Sequence, residues 1–272
     1  EGGGGKISLV KQGIFDGVDA AMMIHPGSRD VKRTSNLAAL MVAVEFHGKP
    51  AHAAAKPFEG INALDAMIQV FNTLGLLRQQ LPDDVRIHGI ITHGGTATNV
   101  IPEYTRAEFI VRASELSRTY DVLEKFKTCV KGAALATGAK DQIAIDFENM
   151  YAPLMTNTVL MEVYANNMAL LGIEVQDQPP SELGGSSDIG NVSQVVPAIH
   201  PTGGIAPEGL DIVGHSHEFA LAAKSEHAKI GMMRGIQALA MCGVDLLGNP
   251  ETLHAAKAEF QRHTTKKYNH QQ

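Results

Sequence analysis

The sequence predicts an α/β protein in which a larger domain is interrupted by an inserted ferredoxin-like α+β domain. Three observations predict it. Between residues 38 and 150 the hydrophobic periodicity runs strand, helix, strand, strand, helix, strand, the split βαβ order. On either side lie short apolar runs, helical stretches and glycine-rich loops, which read as two pieces of one α/β domain. The 272 residues, 44% hydrophobic and 19% charged, suffice for one large domain or two modest ones. The predicted boundaries are 1–36 with 151–272 for the outer domain and 37–150 for the insert.

Residues 7–10 and 18–24 are apolar runs read as helix or strand pieces of a buried sheet, and the second ends in the loop chemistry of His25-Pro26-Gly27. Ala38 to Phe46 is strand-like and closes at His47-Gly48-Lys49-Pro50. Ile61, Leu64, Ile68, Phe71 and Leu74 recur every three or four residues, predicting an amphipathic helix over 59–78. Val85–His93 and Tyr104–Ala113 are strands; in the second, Thr105, Ala107, Phe109 and Val111 alternate with Arg106, Glu108, Ile110 and Arg112. A helix follows from Leu116 through Val130, and Gln142–Glu148 alternates again as the closing strand. Beyond it, a helix from Asn157 ends at Gly172, and a strand over Val195–Ile199 sits between loops. A long apolar helix over 219–247 precedes a last helix signalled by Asn249-Pro250-Glu251. The polar tail, 261–272, is expected to fray.

Charge and cysteine usage exclude several classes. A net charge of −6 lacks the basic surplus that phosphate binding needs. No uninterrupted apolar run approaches the ~20 residues of a membrane span. The two cysteines, Cys129 and Cys242, show no CxxC spacing, which fits a reducing compartment, so a cytoplasmic protein without nucleic-acid or membrane partners is expected. The glycine pairs at 184–185 and 203–204 lack a Walker lysine or a strand-GxGxxG-helix context, and Ser186 and Ser187 lack a GxSxG elbow.

Four sets of residues carry possible chemistry. Glu1, followed by four glycines, His25 at a strand end, and His215 before a helix are ligand types suited to zinc or manganese; His217 competes with His215. His52, among small neighbours, and Asn99, in a glycine loop, are neutral donors of the kind that stabilise an oxyanion, although turn chemistry alone explains an asparagine there. Arg112 offers a fork for a carboxylate, and by pattern alone a cross-strand ion pair on a solvated face accounts for it better. Gly203 and Gly204 read as a backbone-lined pocket wall. The other histidines, His88 and His200 among them, receive no role.

Taken in order, Glu1-Gly-Gly-Gly-Gly-Lys6, Met22-Met23-Ile24-His25-Pro26, Gly48-Lys49-Pro50-Ala51-His52-Ala53-Ala54, Gly94-Gly95 through Asn99-Val100-Ile101-Pro102, Ser187-Asp188-Ile189-Gly190 and His215-Ser216 resemble the M20 family of metallopeptidases and amidohydrolases. Within it, the likeness is to the aminobenzoyl-glutamate hydrolase and peptidase M20 domain-containing 2 group. The resemblance implies a metallopeptidase-type catalytic domain holding one or two divalent metals, Zn or Mn, and interrupted by a lid domain that makes a homodimer. It implies metal ligation by Glu1, His25 and His215, the last preferred over His217 because it matches the family's histidine before the terminal helix. His52 and Asn99 would hold the oxyanion in the facing subunit's site, and Arg112 would grip the substrate carboxylate. The implied reaction is hydrolysis of the amide bond in an N-acyl amino acid, aminobenzoyl-glutamate or a dipeptide. In the family an upstream segment supplies a general base and further ligands, so the chain is expected to be a catalytic domain lacking its N-terminal part. The alternative is a catalytically silent binding or dimerisation module.

Overall fold

In a computed structural model, residues 3–179, 182, 184–207 and 209–269 are described. The chain divides into two compact units, 1–36 with 154–272, and 37–153.

The first unit begins with α1 (Gly5–Lys11), β1 (Ala21–Met22), β2 (His25–Gly27) and β3 (Val31–Arg33). The insert then supplies β4 (Ala38–His47), α2 (Ala63–Leu77), β5 (Arg86–His93), β6 (Tyr104–Ala113), α3 (Leu116–Thr137) and β7 (Lys140–Tyr151). Returning to the first unit, α4 (Thr158–Leu170), β8 (Gln176–Asp177), α5 (Ile189–Val192), β9 (Ala198–Ile199), β10 (Thr202–Gly204), α6 (His217–Ala222), α7 (Glu226–Gly248) and α8 (Pro250–Asn269) complete the chain.

The insert forms one antiparallel sheet in the order β5-β6-β4-β7. Numbered within the unit this is 2-3-1-4, the ferredoxin-like arrangement. Alternation decides which face is covered: Leu40, Val42, Val44, Phe46, Ala107, Phe109 and Val111 are buried together with Met67, Val70 and Leu74 of α2 and Leu123, Phe126 and Val130 of α3. Both helices lie on that face. The intervening residues, Met41, Ala43, His88, Ile90, Glu108 and Ile110 among them, line a hollow of about 820 Å³ on the opposite, open face. Asn62 caps α2 by accepting from the Leu64 and Asp65 amides, which places the helix start after the 59–62 turn rather than at 59.

In the first unit, β1 pairs in parallel with β9, and a second sheet runs β2-β10-β3-β8. Asn157 caps α4 through its side chain, and Tyr164 and Met168 of that helix pack with Ile199, Ala238 and Cys242.

Two expectations are corrected here. The single helix over 219–247 is two, because Ser225 accepts from the Ala228 amide and starts a new helix after α6. Of Val195–Ile199 only Ala198–Ile199 is strand, since Val195 and Val196 still bond back to Val192 at the end of α5. No apolar run in α7 is uninterrupted, yet by length and average composition the helix is apolar enough to cross a membrane. Its small residues Ala228, Gly231, Gly235, Ala238 and Cys242 face inward, so one of its faces is core.

Candidate functional site

The insert brings His52 and Asn99 together. His52 forms an isolated antiparallel bridge with Val100, the Ala53 amide donates to the Asn99 carbonyl at 3.0 Å, and the Ile101 amide donates to the Ala51 carbonyl at 2.9 Å. Two segments nearly fifty positions apart are thus zipped side by side with both residues exposed. The amides of Ala54 and Ala55 donate to His52 Nδ1 at 3.3 and 3.2 Å. A ring nitrogen that accepts carries no proton, so the neutral imidazole keeps its hydrogen on Nε2. His52 is therefore set as an N–H donor, the form an oxyanion needs.

Arg112 lies on the open sheet face. Arg106, on the same strand, takes Glu45 and Glu108 at 3.2 and 3.1 Å. Arg112 donates from Nε to His88 Nε2 at 3.1 Å. Burial moves the Arg112 guanidinium down from its ordinary value, while Tyr151 acts the other way.

In the first unit, His25 opens β2, and its Nδ1 lies 2.8 Å from the Pro26 carbonyl. A carbonyl only accepts, so Nδ1 carries the proton in the neutral ring, one of the two tautomers in which a histidine can bind a metal. His200, buried between β9 and β10, meets this ring edge-on at 5.5 Å. Its own Nδ1 contacts Asn36 Nδ2 at 3.1 Å, and its carbonyl accepts from Thr34. Nothing in the spacing of His25 and His200 announces this stack; only the pairing of β2 beside β10 creates it.

His215 has φ 64, making it the one non-glycine residue with positive φ among the described residues. Such backbone costs of order 1 kcal/mol and persists where surroundings enforce it. It directly precedes Ser216, whose hydroxyl caps α6 by accepting from the Phe219 amide, with His217 as the helix's first residue. Glu1 lies outside the described residues, and among those described no group of three His, Cys, Asp or Glu side chains is placed to hold a metal. The described residues thus present a prepared imidazole at His25 and a strained backbone at His215, but not a complete donor set.

Gly203 and Gly204 form the end of β10 against α7. A Cβ on Gly231 of α7 would sit 2.1 Å from the Gly204 carbonyl oxygen, so the glycines allow a helix and a strand to touch backbone to backbone. Two motifs separated by 182 positions also meet: Asp188 accepts from the Lys6 amide at 2.9 Å and from its ammonium at 2.6 Å. This joins the glycine run before α1 to the Ser-Ser-Asp loop. The acid at 188 was legible as a residue; its partner was not.

Comparison with known proteins places this geometry in context. Residues 34–137 match the peptidase dimerisation domain of the M20 family. A mouse protein named Xaa-Arg dipeptidase is 37% identical over 263 residues, covering 96% of this chain and 60% of the relative. One of the two p-aminobenzoyl-glutamate hydrolase polypeptides of Escherichia coli K12 is 34% identical over 139 residues, 50% of this chain and 29% of that one. The crystal structure of an aminobenzoyl-glutamate utilization protein from Klebsiella pneumoniae superposes with a TM-score of 0.63 at 20% identity, covering 87% of this chain and 57% of that one. The chain spans about three fifths of the length of the mouse relative. The insert thus matches the M20 peptidase dimerisation domain, and the chain is similar along nearly its entire length to a dipeptidase of which it spans three fifths.

Proposed function

We propose that the protein hydrolyses the amide bond of a small substrate ending in a free carboxylate: an N-acyl amino acid, aminobenzoyl-glutamate or a dipeptide. The observation that carries this is the His52 tautomer, an N–H donor set before any substrate arrives, on a segment zipped to the one that carries Asn99. The names of the relatives, a dipeptidase and an aminobenzoyl-glutamate hydrolase, support the same reaction class.

In this reading His52 Nε2–H and the Asn99 amide donate to the oxygen that becomes negative as the carbonyl turns tetrahedral, and Arg112 orients the substrate by its carboxylate. The donors act in a facing subunit, so a homodimer formed through the insert is part of the proposal, supported by the dimerisation-domain match. So is zinc or manganese, as one or two ions, with Glu1, His25 and His215 as protein ligands. When bound, such an ion supplies Lewis-acid polarisation of the carbonyl and an activated water. The proposal also keeps a cytoplasmic location without membrane or nucleic-acid partners, consistent with the −6 charge and two buried free cysteines.

The test is an assay with zinc or manganese on p-aminobenzoyl-glutamate and a dipeptide panel that includes C-terminal arginine. His52→Ala is expected to lower kcat by about 100- to 1000-fold with little change in KM, Arg112→Ala to raise KM, and His215→Ala to abolish turnover. Full turnover in His52→Ala would defeat the reading. Carboxylate-sensitive binding without turnover under any metal would favour the silent dimerisation module instead.

A further inference from the structure

The open face of the insert's sheet is hollow where two alanines meet. Register sets the side chains of this face in rows: His88, Ile110, Met41 and Asp146 form one, and Ile90, Glu108, Ala43 and Ala144 the next. An alanine side chain ends at Cβ, so the floor at Ala43 and Ala144 drops below the longer Met41, Ile110 and Ile90 around it. The hollow measures about 820 Å³, the size of a small-ligand pocket, and these five residues make its floor and walls apolar.

Asp146 lines the same hollow and is held by neutral donors alone. Met41 faces Asp146 while Ala39 faces Tyr151, so β7 carries residues 147–150 where β4 has only Leu40. In this bulge Asn149 turns back. Its backbone amide donates to Asp146 Oδ1 at 3.1 Å, and its side-chain amide donates to Oδ1 and Oδ2 at 3.2 and 2.9 Å. Such donors fix the orientation of a carboxylate and leave its charge in place. No cationic side chain pairs with Asp146 among the described residues.

The other polar groups of the lining do not reverse that sign. Arg106 is shared between Glu45 and Glu108 at 3.2 and 3.1 Å, so carboxylates outnumber cations here. Partial burial, and then the charges of Arg112 and Arg78, move His88 below its ordinary value, and its ring is neutral near neutral pH. Arg86 and Arg112 face each other in the row beyond His88 and do not line the hollow. An oriented carboxylate beside an apolar floor complements a ligand with a positive charge on an apolar stem.

We propose that this hollow binds a small organic cation, a primary ammonium on an aliphatic stem, with Asp146 as its charge partner and Ala43 and Ala144 as the floor beneath the stem. None of His52, Asn99 and Arg112 lines the hollow, so the site stands or falls independently of the proposed hydrolysis.

The probes are n-hexylammonium, 1-hexanol and hexanoate, which share a stem and differ in charge. Each is titrated near neutral pH into 15N-labelled protein, with the amide resonances of Ile110, Ala144 and Asn149 reporting the site. Saturable shifts are expected with hexylammonium, about tenfold weaker binding with hexanol, and no saturable shift with hexanoate. Asp146→Asn keeps a side-chain oxygen that accepts from Asn149, and should weaken hexylammonium by about tenfold while leaving hexanol unchanged. Ala144→Leu raises the floor from an exposed position with the charge of Asp146 intact, and should weaken both. Hexanol or hexanoate binding as tightly as hexylammonium overturns the site, as does the lack of any saturable shift with hexylammonium. Wild-type affinity for hexylammonium in either variant overturns it as well.

Discussion

Tyr164 of α4 is fully buried, and its hydroxyl has no hydrogen-bond partner among the described residues. Burial, with Asp30 and Cys242 adding to it, pushes its ionisation far upward. A buried hydroxyl without a partner forfeits its hydration, so Tyr164→Phe is expected to stabilise the protein by about 1 kcal/mol in urea unfolding; a clear loss would reveal a partner. Asp84 is the opposite case. Burial alone would raise its carboxyl, but the hydroxyl and amide of Ser114 and the Arg118 guanidinium outweigh that and bring it from 3.8 to about 2. A carboxylate depressed in the folded state adds stability above its unfolded value, and that stability disappears as pH falls through the folded one. Wild-type protein should therefore lose stability between about pH 4 and pH 2, and Asp84→Asn should be weaker at neutral pH and less sensitive across that window. Acid melts of the two proteins check both points. Residue identities such as these were readable from the chain, but their partners were not: Asp84 meets Ser114 across 30 positions, and His88 meets Arg112 across 24. Contacts of that kind follow from register, which no local pattern encodes.

At the scale of elements, what was legible follows strand length. β4, β6 and β7 run for 10, 10 and 12 residues, long enough for one-sided burial to write an alternating pattern. β1, β8 and β9 have two residues each, too few to show any period. The break between α6 and α7 was hidden for another reason. Apolar content is high on both sides of it, and the boundary is carried by the short polar stretch Lys224-Ser225-Glu226-His227, in which Ser225 is the cap. Glycines in α7 provide a test of packing against propensity. Gly231 touches the Gly204 carbonyl of β10, where a Cβ would intrude to 2.1 Å, whereas a Cβ on Gly243 would meet nothing within 4 Å. Alanine gains roughly 1 kcal/mol over glycine inside a helix. Gly243→Ala is expected to raise the unfolding free energy by about that amount, and Gly231→Ala to lower it by about 1–3 kcal/mol as helix and strand are forced apart. Equal effects at the two sites in thermal melts would contradict the close approach.

Across the whole molecule, the two units differ in how they deal with apolar surface. The insert gathers its buried apolar residues into one continuous cluster between the sheet and its two helices. In the first unit the described buried apolar residues fall into separate clusters, and α7 turns a row of large side chains outward: Ile230, Met233, Ile236, Val244 and Leu247, the last 88% exposed. Single exposed apolar residues are ordinary, but a row along nearly five helical turns is a surface that seeks cover. Because these side chains make few contacts within the unit, replacing Met233 with Glu and Ile236 with Lys should leave folding stability within about 0.5 kcal/mol per site. The same pair should sharply reduce binding of a hydrophobic dye and any association that grows with protein concentration, measured by sedimentation. Polar replacements that instead unfold the unit would mean that the outward row is already part of its core, while unchanged dye binding would place the accessible apolar surface elsewhere. The insert gives an internal control, since Leu135, at 86% exposed on α3, lies outside the row, and Leu135→Lys should leave both measurements nearly as they are in the wild type.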